Sequence, residues 1–121
     1  MKYILLIYHE EQGWDRLTEE ERQKIYADYG QFTQKIMASG HYVGGSELHP
    51  VSTATSVRVR DGKLLTTDGP FAETKEQLGG YYLIEAGNLD EAIGIAARIP
   101  SAREGTVEVR PLAETGAPAS A

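Results

Sequence analysis

The stretch that decides the fold is KYILLIY, residues 2–8 of the chain. Its apolar and aromatic side chains follow one another without a break: Tyr3, Ile4, Leu5, Leu6, Ile7 and Tyr8. A strand covered on one face alternates apolar with polar residues, because successive side chains point to opposite faces. The run therefore predicts a strand covered on both faces. It is too short for a membrane helix, which needs about 20 residues, and no small-residue cleavage site follows it.

Two helices are predicted downstream of this strand. Thr18 with Glu21 three residues later forms a capping box, and Gly40 supplies a left-handed stop. The apolar residues between them recur at helical spacing: Ile25, Tyr29, Phe32 and Ile36. Asn88 caps the second helix, which ends before Pro100. Its predicted apolar face holds Leu89, Ala92, Ile93 and Ala96.

The remaining segments predict strands. Residues 56–60 and 63–67 flank Asp61-Gly62, which is a strong hairpin signal. Further strands are expected at Tyr81–Glu85 and at 106–110, which gives the order β-α-β-β-β-α-β. This order indicates an α+β fold: a ferredoxin-like split βαβ unit with an added hairpin, whose antiparallel sheet carries two helices on one face. Because two helices cover only one sheet face, the other face is expected to meet a second copy in a homodimer.

Composition limits the range of functions. The chain has 121 residues, which supports one domain, expected over residues 1–111, with a disordered tail over 112–121. The absence of cysteine excludes disulfides and thiolate chemistry, and it fits a cytoplasmic location. A net charge of −6 without a basic cluster gives no basis for direct nucleic-acid binding. No membrane association is expected either.

The run DGPFAETKEQLGGYYLIEA, residues 68–86, carries a family resemblance together with GGSELHP at 44–50 and TSVRVRDGK at 55–63. It resembles the DGPF branch of the YCII-related proteins. The resemblance implies a ferredoxin-like unit that dimerises face to face as a dimeric α/β barrel. It also implies a regulatory context near extracytoplasmic-function sigma factors. The wider family's proposed dyad pairs an aspartate with a histidine of the first helix, but residues 18–39 contain no histidine. That dyad does not carry over.

Several residues are candidates for a site. Asp68 precedes Gly-Pro, where a carboxylate either accepts turn amides or, in a cleft, acts as an acid or base. His49 lies in the neighbouring glycine-rich loop. Glu73 and Lys75 are either partners of Asp68 or a solvated charge run. The spacing of His49 and the other two histidines matches no metal motif, so we expect neither a metal nor a cofactor.

The tyrosines allow a second interpretation. They either pack in the core or line a pocket between sheet and helices, where Tyr8 or Tyr82 would offer a hydroxyl to a small ligand. We therefore carry forward a small cofactor-independent enzyme or small-molecule binder with a polar pocket near the DGPF loop. The alternative is a non-catalytic regulatory module with a protein partner, in a sigma-factor context. A third hypothesis is a structural dimer in which Phe71 anchors the loop at the interface. The residues alone do not decide whether the protein is an enzyme.

Overall fold

The computed structural model describes residues 1–113, so residues 114–121 of the predicted tail lie outside the described residues. The strands are β1 (Lys2–His9), β2 (Tyr42–Glu47), β3 (Thr55–Arg60), β4 (Lys63–Asp68), β5 (Gln77–Glu85) and β6 (Thr106–Pro111). The helices are α1 (Glu11–Asp15), α2 (Glu19–Ala38) and α3 (Leu89–Ala96). Single 3-10 turns lie at Val51–Thr53 and Pro100–Arg103. Leu112 donates its amide to the carbonyl of Lys2 at 2.9 Å, directly after β6.

The main sheet has four antiparallel strands in the order β2-β5-β1-β6. With the β3–β4 hairpin set aside, this is the strand order of a ferredoxin-like split βαβ unit. The predicted fold class is therefore confirmed. The hairpin forms a separate two-stranded sheet, and its Asp61-Gly62 turn has φ values of +52° and +74°. Positive φ at both central residues is what a type I′ turn requires, so the turn prediction is also confirmed.

The predicted helix boundaries rest on caps that form as expected. The Thr18 hydroxyl accepts the amide of Glu21 at 3.1 Å, and the Glu21 carboxylate accepts the amide of Thr18 at 2.9 Å. Gly40 follows α2 with φ +81°, a conformation that favours glycine. The Asn88 side chain accepts the amide of Glu91 at 2.9 Å and starts α3. These reciprocal bonds satisfy amides that a helix start otherwise leaves unpaired.

The core lies between one face of the sheet and the helices α2 and α3, so two helices on one face are confirmed. Its fully buried large side chains are Leu5, Ile36, Ile84 and Ile99. The opposite face of the sheet carries half-buried apolar side chains that no described helix covers: Ile4, Leu6, Tyr81 and Leu83. We call this the outer face. β1 is thus apolar on both faces, but the described chain covers only one of them.

One strand, β2, was not predicted, and β5 was predicted too short; glycine explains both. Gly44-Gly45, expected in a loop, lies inside β2, and Gly79-Gly80 lies inside β5, which begins at Gln77 rather than Tyr81. A Cβ built on Gly45 would lie 2.7 Å from the Tyr81 carbonyl oxygen. Register shifts occur beside Val43 and opposite Gly79. The glycine pairs therefore mark close backbone approach and bulges.

The predicted apolar face of α3 was confirmed at Ala92 and Ala96 and wrong at Leu89 and Ile93. Leu89 is 50% exposed and Ile93 is 49% exposed, whereas Ile95 and Ile99 are buried. The helix carries two overlapping apolar stripes, and the one containing Ala92, Ile95 and Ala96 packs on the sheet. Periodicity alone does not choose between two apolar stripes that share the residues Ala92 and Ala96. α1 was not predicted at all, because five residues are too few for a periodic signal.

Candidate functional site

A cavity of about 710 Å³ opens between the sheet and the helices α1 and α2. We call it the sheet–helix cavity. The sheet contributes side chains and glycine backbone from three strands: Ile7, His9, Tyr42, Gly45, Glu47, Gly79, Gly80 and Tyr82. The helices contribute Trp14, Ile25, Tyr26, Tyr29 and Thr33, and the segment after α3 contributes Ser101 and Glu104. A concave site with apolar walls and a few convergent polar groups is the usual form of a small-molecule site.

Two hydroxyl pairs lie along one wall of the cavity. The Tyr29 hydroxyl lies 2.5 Å from the Ser101 hydroxyl, and the Tyr82 hydroxyl lies 2.7 Å from the Thr33 hydroxyl. Thr33 also donates to the backbone carbonyl of Tyr29 at 2.9 Å. A carbonyl only accepts, so the single proton of Thr33 is used there. Tyr82 must then donate to Thr33, which leaves the Tyr82 oxygen with acceptor capacity.

Both inner tyrosines are kept in the neutral form. Burial raises the pKa of Tyr29, and it raises the pKa of Tyr82 for the same reason, since a phenolate loses more hydration than a phenol. Their rings also pack in the core: Tyr82 meets Phe32 edge-to-face at a centroid distance of 5.2 Å. The phenols are therefore fixed hydrogen-bonding groups rather than bases.

His9 is the imidazole of the cavity. It is the last residue of β1 and shares the helix-facing side with Leu5 and Ile7, because strand side chains alternate. Its Nδ1 atom is buried and has no hydrogen-bond partner within the described chain. The ring lies against Gly79, where a built Cβ would be 2.8 Å from His9 Cε1. Gly79 thus makes room for the imidazole ring, and the Nδ1 atom of His9 has no partner within the described chain.

An aromatic corner forms the outer part of the cavity. Trp14 and Tyr26 pack edge-to-face at 5.4 Å, and the Tyr26 hydroxyl donates to the Glu47 carboxylate at 3.2 Å. Arg22 donates twice to the Trp14 carbonyl, at 3.1 and 3.2 Å, and its guanidinium carbon lies 5.6 Å from the Trp14 ring centre. Burial, and then the Glu47 charge, raise the pKa of Tyr26. This corner therefore combines aromatic faces with a carboxylate.

The structure separates the two tyrosines that the sequence singled out. Tyr82 lines the sheet–helix cavity. Tyr8 lies on the outer face, where its hydroxyl donates to the Glu108 carboxylate at 3.2 Å. Burial, and then the hydrogen bond with Glu108, raise the pKa of Tyr8. The expected pocket between sheet and helices is present, and Tyr82 is the one of the two that reaches it.

The other four candidates, Asp68, His49, Glu73 and Lys75, do not line the sheet–helix cavity. Asp68 ends β4 and is exposed, and His49 is exposed in the loop after β2. Glu73 is exposed in the loop 69–76. Lys75 lines a smaller cavity of about 420 Å³, together with Glu10, Glu11 and Thr74. Of the six candidates, the structure places only Tyr82 on the wall of the sheet–helix cavity, and it does not bring the six together.

Sequence reasoning missed most of the cavity. His9 was not among the predicted site residues, yet the alternation of Leu5, Ile7 and His9 already placed it on the buried face of β1. That period-two signal could have found it. Thr33 and Ser101 carry no such signal, because their partners lie 49 and 72 residues away in the chain. Within residues 1–113, no three His, Asp or Glu side chains are grouped to hold a metal ion. No helix of that same range is long and apolar enough to span a membrane.

Comparison with known proteins gives the family. The model of the YCII-related domain matches residues 1–115. The chain belongs to the YCII-related family. An uncharacterised protein of Rhizobium meliloti strain 1021 is 37% identical to this YCII-related protein over 115 residues, and the match covers 93% of each chain. Membership agrees with the ferredoxin-like fold, but neither match names a reaction, so the function must be argued from the site.

Proposed function

We propose that this YCII-related protein binds a small organic molecule in the sheet–helix cavity, and that His9 exchanges a proton with it. One observation carries the proposal: His9, whose buried Nδ1 has no partner within the described chain, lines a cavity that also holds two hydroxyl pairs. Buried polar atoms are normally hydrogen-bonded, and an unpaired one costs about 1–3 kcal/mol. A ligand that turns the imidazole so that Nδ1 bonds to it would recover that cost.

The chemistry of the side chains assigns proton transfer to His9 and ligand orientation to Tyr29 and Tyr82. Imidazole is the side chain suited to proton transfer near neutral pH. Tyr82 and Tyr29 remain neutral, so they orient a ligand through hydrogen bonds and do not act as bases. The glycine backbone at Gly45 and Gly80 forms part of the cavity wall without side chains that would fill it. The proposal therefore joins the binding and the proton-transfer hypotheses at one site, away from Asp68.

The experiment is a thermal-shift screen of a small-molecule library on the wild-type chain and three variants. Tyr82→Phe removes a cavity hydroxyl, and Tyr8→Phe is its matched control, since it removes a bonded hydroxyl from the outer face. We expect hits whose shift survives in Tyr8→Phe and shrinks in Tyr82→Phe and His9→Gln. Hits that respond equally in all variants would place binding outside the cavity. A library without hits would remove the binding proposal.

We further propose that the protein is a homodimer joined through the outer face. Ile4 and Leu6 of β1 lie beside Leu83 and Tyr81 of β5 on that face, and no described helix covers them. Burying the same apolar face of two copies is the commonest symmetric solution. Sedimentation at micromolar concentration tests this. A dimer mass is expected for the wild-type chain and a monomer mass for Leu6→Lys, whereas a wild-type mass near 13.3 kDa would contradict the proposal.

A regulatory role is the second candidate, and one observation favours it. Val57, Val59 and Leu64 lie on one face of the β3–β4 hairpin and are 61%, 60% and 68% exposed. Exposed apolar surface of this kind often binds another protein. Residues 68–71 support assignment to the DGPF branch, where a sigma-factor context is expected. A pull-down from the native host should recover a partner that Leu64→Ser loses, and a partner retained by Leu64→Ser would exclude the hairpin.

We propose a cytoplasmic location as well. Its support is that β1, which holds the apolar run at residues 3–8, is an interior strand of the main sheet. Fractionation of the native host, followed by immunoblotting, tests the location. Recovery with the membrane or periplasmic fraction would contradict it.

A further inference from the structure

Carboxylates dominate the lining of the sheet–helix cavity, although the Arg22 guanidinium lies at its aromatic corner and Lys75 lies in the smaller cavity beside Glu10 and Glu11. Five of its lining residues carry a carboxylate: Glu10, Glu11, Asp15, Glu47 and Glu104. Among residues 1–113, no Lys or Arg lines the cavity, and His9 is its one imidazole. A cleft lined by one sign of charge focuses the field and raises the local concentration of oppositely charged molecules. The net charge of −6 for the whole chain adds to this field.

Three hydroxyl protons on the cavity wall are already used within the protein. The proton of Thr33 is used by the Tyr29 carbonyl, and the proton of Tyr82 is used by Thr33. The Tyr26 proton is used by Glu47, whose carboxylate still has acceptor capacity. The oxygens of Tyr82 and Glu47 therefore remain as acceptors for a ligand. A ligand rich in N–H donors would satisfy them, and a carboxylate or phosphate would not.

The aromatic corner suits a cation for a separate reason. Trp14 already holds the Arg22 guanidinium at 5.6 Å from its ring centre, on the side of the helix α2. Tyr26 meets Trp14 edge-to-face, and its ring is 51% exposed. Aromatic faces next to a carboxylate are a common arrangement for binding organic ammonium groups. The lining carboxylates, the acceptor oxygens of Glu47 and Tyr82, and the aromatic surface thus favour the same kind of ligand.

We infer that the sheet–helix cavity selects a small organic cation, an amine with an apolar or aromatic body, and rejects organic anions. This inference rests on the proposed binding function and narrows its ligand class. The apolar body would lie against Ile25 and the aromatic corner, and the ammonium group would meet the acceptors of Glu47 and Tyr82. The inference concerns charge, so it can fail while binding in the cavity stands.

The test compares phenethylamine, 2-phenylethanol and phenylacetate, which share a phenyl ring on a short arm and differ in charge. Trp14 is the single tryptophan of the chain and lines the cavity, so its fluorescence reports binding directly. We expect saturable binding of the amine, at least about tenfold tighter than that of the acid, with the alcohol between them. Added salt should weaken binding of the amine.

Two variants separate a specific carboxylate from general charge. Glu47→Gln removes the carboxylate that accepts the Tyr26 hydroxyl and keeps its shape, and Glu108→Gln does the same for the Tyr8 pair on the outer face. We expect Glu47→Gln to weaken amine binding about two- to fivefold, as an exposed ion pair would. Glu108→Gln should leave it unchanged.

Three results would overturn the inference. Phenylacetate binding as tightly as the amine would do so and would leave the binding function standing. An equal loss of affinity for the amine in Glu47→Gln and Glu108→Gln would show that only the overall charge of the protein matters. No saturable response to any of the three compounds would also overturn it, while the library screen would still decide the binding function separately.

Discussion

Replacing Gly79 with alanine tests the placement of His9, on which the proposed function depends. A Cβ built on Gly79 would lie 2.8 Å from His9 Cε1 and 3.0 Å from His9 Nε2. Carbon atoms in contact normally lie about 3.5–4.0 Å apart, so the imidazole must rotate or the strand must shift. The φ of Gly79 is not in the positive region, so the imidazole contact is the main source of strain.

The expected size of the effect follows from two opposing terms. Forcing an extra methyl group into a packed site costs about 1–3 kcal/mol. Replacing glycine by alanine also restricts the unfolded chain, which stabilises the fold by about 0.4–1 kcal/mol. We therefore expect a net loss of about 0.5–2 kcal/mol in the free energy of unfolding. For a domain of this size, that loss lowers Tm by about 2–8 °C.

The matched control is Gly44→Ala in β2, because a Cβ built there meets no heavy atom within 4 Å. Chemical denaturation of both variants gives the free energies, and NMR of the His9 ring reports the displacement. In the double variant with His9→Ala the penalty should largely disappear, which a double-mutant cycle measures. If Gly79→Ala matches Gly44→Ala in stability and the His9 resonances do not move, the imidazole does not pack on this glycine.

Three further predictions test single contacts. The hydrogen bond from the Gly87 amide, and then the one from the His41 imidazole, lower the pKa of Glu91 from its ordinary 4.5. The ionised Glu91 side chain therefore contributes to stability above pH 4.5, and this contribution is lost as the pH falls through the lower pKa of the folded state. The stability difference between wild type and Glu91→Gln should therefore shrink between about pH 6 and pH 3, and a constant difference would contradict this. Thr18→Ala removes a capping bond of α2 and should cost about 1 kcal/mol by urea denaturation. Phe71 is 82% exposed, so Phe71→Ala should change unfolding by less than about 0.5 kcal/mol. An unchanged dimer dissociation constant in that variant would remove Phe71 from the interface.

Local signals in the sequence were sufficient for most of the fold. The caps at Thr18 and Asn88 act over three residues, and the Asp61-Gly62 turn acts over two, so each could be recognised without tertiary information. β2 was missed because its Gly45 is required by the close approach of the Tyr81 backbone on the neighbouring strand. A close approach between distant segments leaves no mark in a single segment's composition. The choice of apolar stripe on α3 also depends on the sheet it packs against.

The candidate site was less accessible to the sequence for a related reason. The charged residues Glu73 and Lys75 favoured a site in the loop after Asp68, yet that loop is exposed. The cavity is built from residues such as Thr33 and Ser101, which are ordinary in sequence and become informative only through their partners. Tyr82 was identified because an aromatic residue in a strand is a candidate for either core or pocket. His9 could have been identified by extending the alternation of β1 by one residue.

The most direct test of the central claim, that the sheet–helix cavity is the functional site, is amide chemical-shift mapping of ¹⁵N-labelled protein with a hit from the screen. We expect the amide resonances of Gly45, Gly79 and Tyr82, and the indole N–H resonance of Trp14, to shift until the ligand saturates the site. The outer-face strand residues Ile4 and Leu83 should move little. Shifts confined to the loop 69–76 or to the outer face would contradict the account.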